Sequence, residues 1–239
     1  MPNSITVITG HYGSGKTNFA VNLALSVKAA NKADSVRIID LDIVNPYFRT
    51  ADFRELFKSS DIELVVSKYA NSNLDIPALG FGINFGEAAY ADNPGKHTHI
   101  IIDVGGDDAG ATALGRYGRL FERFANSNES GSGIEMLYVV NRYRFLTRTP
   151  GEAAEFLREI ELAVSNTILR TTGIVNNSNL GRETTAEIVS ESLDFAEKVS
   201  AMTNLPVKYT CAEENLRFKA DLPGLFPVKI YVNPYVNDH

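Results

Sequence analysis

The sequence predicts an α/β fold, in which a doubly wound and mostly parallel sheet carries helices on both faces. Short apolar runs rich in β-branched residues alternate with amphipathic helical segments. A glycine-rich loop joins the first run to the first helix, and two later runs end in aspartate. Strands that alternate with helices need right-handed crossovers, and these crossovers give parallel sheets covered on both faces.

Each predicted element rests on its own local signal. Apolar residues at helical spacing follow the glycine-rich loop and predict the first helix. Thr149, Pro150 and Glu152 have the arrangement of a capping box, so a helix is expected to begin there. The predicted strands cover residues 5–9, 36–42, 62–66, 99–103, 134–140, 169–175, 207–211 and, at one edge, 228–232. The predicted helices cover residues 16–30, 53–57, 114–124, 149–164 and 184–202.

One long segment carries no clear periodicity. Residues 70–96 are rich in Asn, Asp, Gly and Pro, which favour turns and loops. The chain shows no internal repeat and no interdomain linker. We therefore expect residues 1–239 to form a single nucleotide-binding domain, with this segment as a long connection.

Composition limits the possible partners. The chain has 239 residues and a formal net charge of −6, and an acidic protein binds nucleic acid or anionic membrane poorly. Cys211 is the one cysteine, so no intramolecular disulfide can form, which fits a reducing cytoplasm. No apolar run reaches the roughly 18 residues of a membrane span. A cytoplasmic protein that binds neither nucleic acid nor membrane is expected.

The glycine-rich loop matches the phosphate-binding pattern G-x-x-x-x-G-K-[ST]. Glycines let the backbone turn its amides inward, toward a phosphate at the start of the helix. Lys16 would bring a cation to the β- and γ-phosphates, and the Thr17 hydroxyl would bind Mg²⁺. The predicted nucleotide-binding residues of this loop are Gly10, His11, Tyr12, Gly13, Ser14, Gly15, Lys16, Thr17 and Asn18.

Two strand-end carboxylates are candidates for the metal and the attacking water. Asp103 ends an apolar run and begins a D-x-x-G sequence, in which the amide of Gly106 can sense the γ-phosphate. Asp42 ends the strand after the first helix, and Asp40 shares its strand face. Carboxyl ends of parallel strands open on one crevice, so Thr17, Asp42 and Asp103 are the predicted metal ligands. Helix capping or a turn is the alternative role for each aspartate.

The P-loop, followed by "IIDLD" and "IIIDVGG", resembles the MinD/ParA/CobQ group of SIMIBI-class P-loop ATPases, and the resemblance extends through "GIVNN". It implies binding of ATP or ADP with Mg²⁺, and a homodimer that forms around ATP in many members. It further implies that Lys16 acts in catalysis, that Asp42 orients the hydrolytic water and that Asp103 is the Walker B acid. Asn176 matches the position that contacts adenine, although a strand-end turn would explain it equally well.

The sequence departs from this group at the second loop position. A signature Lys in "KGGxGKT" reaches the partner's phosphates, whereas this chain has His11. His11 either bonds phosphate or is an ordinary loop residue. "GSGKT" also resembles nickel- and cobalt-chaperone GTPases, which bind guanine with N/T-K-x-D. Asn141, which follows a strand, begins a sequence without that Lys and Asp, so ATP is favoured over GTP.

Two functions are compatible with these features. The first is an ATPase that serves as a nucleotide-dependent switch, or as an accessory or maturation factor, for an unidentified protein partner. The alternative is an ATP-dependent phosphotransferase or ligase for a small molecule, resembling dethiobiotin synthetase or the cobyrinic-acid amidases, which also lack the signature Lys. Arg142, Arg144 and Arg148 would bind an anionic substrate or an acidic partner, or they form a solvated loop. An iron–sulfur cluster is not expected, because two chains supply only two cysteines.

Overall fold

The computed structural model describes residues 3–41, 53–66, 96–106, 108–127, 133–218 and 221–231. Asp42 and residues 70–95 lie outside these ranges. The strands are β1 (Ser4–Gly10), β2 (Ser35–Leu41), β3 (Glu63–Val66), β4 (Thr98–Val104), β5 (Ile134–Val140), β6 (Gly173–Asn176), β7 (Val207–Glu213) and β8 (Leu225–Val228). The helices are α1 (Lys16–Ala29), α2 (Arg54–Ser59), α3 (Asp108–Arg116), α4 (Gly118–Ser127), α5 (Pro150–Ala163) and α6 (Ala186–Thr203).

The strands form one eight-stranded sheet in the order β3-β2-β4-β1-β5-β6-β7-β8. Every neighbouring pair is parallel, which confirms the predicted sheet. β1 lies between β4 and β5, so the connection from β4 to β5 passes across β1. The carboxyl end of β1 is therefore a topological switch point, where open α/β sheets bind their ligands.

Apolar layers cover both faces of the sheet. On one face α1 and α2 pack through residues such as Phe19 and Phe57, which join Ile8 and Ile38 in one buried cluster. On the other face α3 to α6 supply Leu114, Phe121, Leu157 and Phe195, and these pack with the opposite side chains of the same strands. Helices on both faces give the doubly wound architecture that the sequence predicts. None of the helices among the described residues is long and apolar enough to cross a membrane.

Three elements differ from the sequence prediction by more than two residues or in number. β6 begins at Gly173 rather than at residue 169. Before that point the pairing with β5 is irregular, because the Thr172 hydroxyl, as well as its backbone amide, hydrogen-bonds to the backbone of Met136. The predicted helix through residues 114–124 is two helices, α3 and α4. The last strand covers Leu225–Val228 instead of residues 228–232.

The last difference has a specific cause in α1. Asn22 donates to the carbonyl of Lys229 over 2.9 Å and accepts from its amide over 2.8 Å. Asn18, one turn earlier, accepts from the amide of Tyr231 over 2.9 Å. Both asparagines are buried, with 8% and 7% of Asn18 and Asn22 exposed. The two side chains thus replace a neighbouring strand and bind residues 229–231 to the helix instead of the sheet.

Replacing Asn22 with Ala should destabilise the protein by about 1 to 3 kcal/mol, because it removes two hydrogen bonds between this buried side chain and the backbone of Lys229. Chemical denaturation followed by circular dichroism would measure the change. Ser26→Ala is the matched control, since Ser26 is an exposed residue of the same helix. Equal denaturation midpoints for the two variants would contradict the role of Asn22.

A polar cluster lies at the opposite, amino edge of the sheet. The Ser4 hydroxyl lies between His97 Nε2, at 3.1 Å, and His99 Nδ1, at 3.0 Å. The Thr6 hydroxyl lies 3.0 Å from His99 Nε2. Burial, with His97 as a second positive group, lowers the pKa of His99 to about 4, and this outweighs the opposing effect of Glu135. His99 is therefore neutral in the folded protein at neutral pH.

Lowering the pH from about 6.5 toward about 4 should reduce the free energy of unfolding by on the order of 3 kcal/mol through His99 alone. The unfolded histidine takes up a proton in this range and the folded one does not, so the stabilisation is complete above pH 6.5 and is lost as the pH falls. Denaturation midpoints across this range would measure the slope. A His99→Gln variant should show a shallower slope, and an unchanged slope would refute the assignment.

Candidate nucleotide-binding site

The P-loop begins where β1 ends, at a glycine that no other residue can replace without strain. Gly10 has φ +149°, and a Cβ placed on it would lie 2.4 Å from the carbonyl oxygen of Val139. β1 pairs there with β5, with Gly10 opposite Val139. The close contact between the two backbones directs the loop over the carboxyl edge of the sheet.

The amino end of α1 has no side-chain cap. The Gly15 N-cap is left-handed, with φ 88°, and no side chain caps the helix. The first turn carries no acidic residue. Amides at such a helix start, together with the helix dipole, favour an anion. The start of α1 is therefore suited to an anion, and phosphate binding by this loop stays a prediction.

Lys16 and Gly106 lie against each other. Lys16 is only 7% exposed, and its ammonium donates to the carbonyl of His11 over 3.1 Å. The amide of Tyr12 donates to the carbonyl of Gly106 over 3.1 Å. A Cβ on Gly106 would lie 2.7 Å from Lys16 Nζ. The D-x-x-G glycine therefore borders the lysine, and its lack of a side chain gives the ammonium room.

Thr17 and Asp103 meet as a candidate metal pair. The Thr17 hydroxyl donates to Asp103 Oδ2 over 2.7 Å, and Asp103 is 1% exposed. Asp40 is the register partner of Asp103 on β2 and is also buried. A hydroxyl and carboxylates are hard oxygen donors, so this set fits Mg²⁺. Asp42, the third predicted ligand, lies outside the described residues.

His11 and Tyr12 differ in their surroundings. His11 Nδ1 donates to the carbonyl of Tyr12 over 2.9 Å, and its ring meets the edge of Phe156 on α5 at 5.0 Å between centroids. Tyr12 is 57% exposed. The imidazole of His11 thus lies against a helix, while the Tyr12 ring is free to contact a ligand.

Ser14, also in the loop, is completely buried, and its hydroxyl has no hydrogen-bond partner among the described residues.

The two predicted asparagines bind protein groups. The side-chain oxygen of Asn18 accepts from Tyr231, so the backbone of Asn18 remains the candidate for nucleotide contact. Asn176 is completely buried at the end of β6, and its amide donates to the Ser192 hydroxyl over 2.9 Å. The adenine contact of Asn176 stays a prediction. In this conformation its amide hydrogen-bonds to α6.

Asn177 is a site residue that the sequence analysis missed. Its side-chain amide donates to the carbonyl of Ser14 over 2.7 Å, and its backbone amide donates to the carbonyl of Val140. A Cβ on Gly15 would lie 2.2 Å from Asn177 Nδ2. Asn177 therefore holds the P-loop from the side of β6. The second Asn of "GIVNN" was the available signal, since neighbouring strand residues face opposite sides of a sheet.

The string N-K-x-D does occur in the chain, as Asn31, Lys32, Ala33 and Asp34, and the sequence analysis overlooked it. It lies between α1 and β2, at the amino edge of the sheet, away from the P-loop. Asp34 accepts there from the amide of His97 over 2.7 Å. This Asp therefore holds the amino end of β4 and is on the wrong edge of the sheet to contact a base.

Comparison with known proteins gives likeness at the level of fold. No family model matches the sequence, and no curated protein matches it. Chloroplast FtsY from Physcomitrella patens is similar with a TM-score of 0.54 and 13% identity, over 87% of this chain and 58% of that chain. The signal recognition particle receptor FtsY from Elizabethkingia anophelis is similar with a TM-score of 0.52 and 14% identity, over 90% of this chain and 61% of that chain. The signal recognition particle 54 kDa protein from Aeropyrum pernix K1, solved in complex with GDP, is similar with a TM-score of 0.51 and 16% identity, over 87% of this chain and 41% of that chain.

The structures that resemble this chain share its fold. The fold is an α/β fold of the P-loop NTPase type, and the P-loop lies at the carboxyl edge of the sheet, where open α/β sheets bind their ligands. The chain spans about 58–61% of the two FtsY chains and about 41% of the 54 kDa protein. Identity of 13–16% shows the fold alone.

Gly106→Ala should weaken nucleotide binding by about tenfold or more, because the new methyl would lie 2.6 Å from the Tyr12 amide and 2.7 Å from Lys16 Nζ. Titration with a fluorescent nucleotide would measure it. Gly151→Ala is the matched control, since a Cβ there meets only the Thr149 hydroxyl at 4.0 Å. Equal affinities for the two variants would show that Gly106 does not border the ligand.

Proposed function

We propose that this protein binds a nucleoside triphosphate with Mg²⁺ and hydrolyses it, and that its nucleotide state controls its association with a protein partner. The observation that carries the proposal is the Thr17–Asp103 hydrogen bond beside a P-loop whose lysine is already directed into the loop. Asp103 is buried at the end of β4, where a carboxylate is stabilised by hydrogen-bond donors and by a nearby cation, and Mg²⁺ beside Thr17 would be such a cation. A phosphate bound in the neighbouring P-loop would supply further oxygen ligands to the same cation.

The described residues have distinct roles in this proposal. The loop amides and Lys16 would bind the β- and γ-phosphates and stabilise the negative charge of the transition state. Thr17 and Asp103 would hold Mg²⁺, directly or through water. Bound Mg²⁺ neutralises phosphate charge. The amide of Gly106 would respond to the γ-phosphate, and Asp42 would orient the attacking water.

ATP is the nucleotide that we propose. After β5 and after β6, where the carboxyl edge could contact a base, the chain has Asn141 and Asn176 without the following Lys and Asp of the guanine-binding motif. The one N-K-x-D string lies at the other edge. Solved FtsY and 54 kDa structures of similar fold hold GDP, which favours GTP as the second candidate. Competition between ATP and GTP decides between the two.

A homodimer that forms with ATP but not with ADP would support the switch. The exposed Tyr12 lies on the nucleotide edge, where a second copy or a protein partner would meet the bound ligand. Sizing in solution with ADP and with a nonhydrolysable ATP analogue measures this directly. An unchanged size, together with ADP release that needs an added metabolite, would instead indicate the ATP-dependent phosphotransferase or ligase.

Lys16→Ala should weaken binding of Mg-ATP by about 10- to 100-fold, because a charge-assisted hydrogen bond to phosphate is worth roughly 1.5–3 kcal/mol. Calorimetric titration of Mg-ATP and Mg-GTP into both proteins would measure it and would rank the nucleotides. Lys198→Ala is the control, since Lys198 is an exposed residue that pairs with Asp194 on α6. Unchanged Mg-ATP affinity in Lys16→Ala would refute the proposed function.

A further inference from the structure

The loop after β5 runs beside the P-loop and has a fixed shape. β5 is the parallel neighbour of β1, so residues that follow Val140 lie next to residues that follow Gly10. The amide of Arg144 donates to the carbonyl of Asn141 over 3.1 Å, and the amide of Thr147 donates to the carbonyl of Arg144 over 3.2 Å. Two successive turns therefore hold the backbone of Arg144 from both sides.

Buried side chains lock these turns. Thr147 is completely buried, and its hydroxyl donates to the carbonyl of Asn141 over 2.9 Å. Asn141 is also completely buried, and its side-chain oxygen accepts from the amides of Tyr143, at 3.0 Å, and Asn179, at 3.3 Å. The loop is thus joined to the connection after β6, which also holds the P-loop through Asn177. Such bonding gives Arg144 a defined position.

The Arg144 side chain extends over Gly13 of the P-loop. A Cβ on Gly13 would lie 3.6 Å from Arg144 Cδ and 3.7 Å from its Nε. No acidic side chain of the described residues forms an ion pair with Arg144. Arg144 is therefore an exposed residue whose Nε lies beside Gly13, within the P-loop.

The neighbouring arginines are engaged elsewhere. Arg142 donates to the carbonyl of Glu191 over 3.2 Å and lies over the Tyr143 ring. Arg148 lies over the Phe145 ring, 5.6 Å from its centroid. His11, the remaining basic residue of the loop apart from Lys16, lies against Phe156. Among the described residues beside Gly13, Arg144 is thus the cation suited to a second phosphate contact.

We propose that Arg144 binds the γ-phosphate of a nucleoside triphosphate held by its own chain, as a second cation in addition to Lys16. A guanidinium presents a planar pair of donors that fits two phosphate oxygens at once, and it stays charged at all physiological pH values. The triphosphate carries one more phosphate group than the diphosphate, so the contact discriminates between the two nucleotides. This inference rests on the proposed function, because it requires nucleotide in the P-loop.

The test compares Arg144→Ala, Arg144→Lys and Arg148→Ala in the full chain. Affinities for a nonhydrolysable ATP analogue and for ADP, each with Mg²⁺, would be measured by calorimetric titration. Arg144→Ala should lose about tenfold or more in affinity for the analogue and at most about twofold for ADP. Arg144→Lys should regain part of the loss, because lysine keeps the charge without the planar fork. Arg148→Ala should bind both nucleotides as the wild type does.

The outcomes separate this inference from the proposed function. If the wild type binds nucleotide, Lys16→Ala does not, and Arg144→Ala matches Arg148→Ala for both nucleotides, then the role of Arg144 is overturned while the proposed function stands. Equal losses for the analogue and ADP in Arg144→Ala would also overturn it, since ADP has no γ-phosphate for Arg144 to contact. A wild type that binds neither nucleotide would refute the proposed function itself.

Discussion

The candidate site depends on the register between β1 and β4. Ile8 pairs with Asp103, and β1 continues for only two residues before the P-loop begins at Gly10. The loop then brings Thr17 back to within 2.7 Å of the Asp103 carboxylate. Side chains alternate between the faces of a strand, so a shift of one residue would turn Asp103 to the other face. The metal pair, and with it the lysine beside Gly106, would then be lost.

Backbone contacts around the P-loop come from three directions. The connection after β4 contributes Gly106, which accepts from Tyr12, and the end of β5 contributes Val139, which leaves no room for a side chain on Gly10. The connection after β6 contributes Asn177, which donates to Ser14. The loop is therefore surrounded by the ends of strands that lie on both sides of β1 in the sheet. A phosphate would enter a cradle whose shape is set in advance, so little conformational entropy would be lost on binding.

Local patterns in the sequence were sufficient to predict the sheet, most helices and the P-loop. These features depend on residues close together in the chain, such as the Thr149–Glu152 capping box, which the structure contains in full. Asp103 was predictable for the same reason, because an apolar run that ends in an acid carries the strand and its end together. The strand-end position of Asp103 also places it opposite the loop after β1.

Features that depend on distant contacts were not predictable. The boundary of β8 shifted because Asn22 binds Lys229, and no property of residues 228–232 alone reveals that partner. The choice between Asn176 and Asn177 depends on which face each presents at the end of β6, and the strand begins four residues later than predicted. The N-K-x-D string shows the same limit, since its residues match a motif whose meaning depends on the edge of the sheet where it lies.

The asparagine pair on α1 also affects the order in which the protein can be completed. Asn18 and Asn22 belong to the helix that begins in the P-loop, and their partners lie 213 and 207 residues further along the chain. A ribosome makes the amino-terminal part of a chain first, so α1 emerges long before residues 229–231. Until those residues arrive, the two buried amides have only water or each other as partners. The helix that begins in the P-loop is therefore synthesised well before the residues that complete its packing.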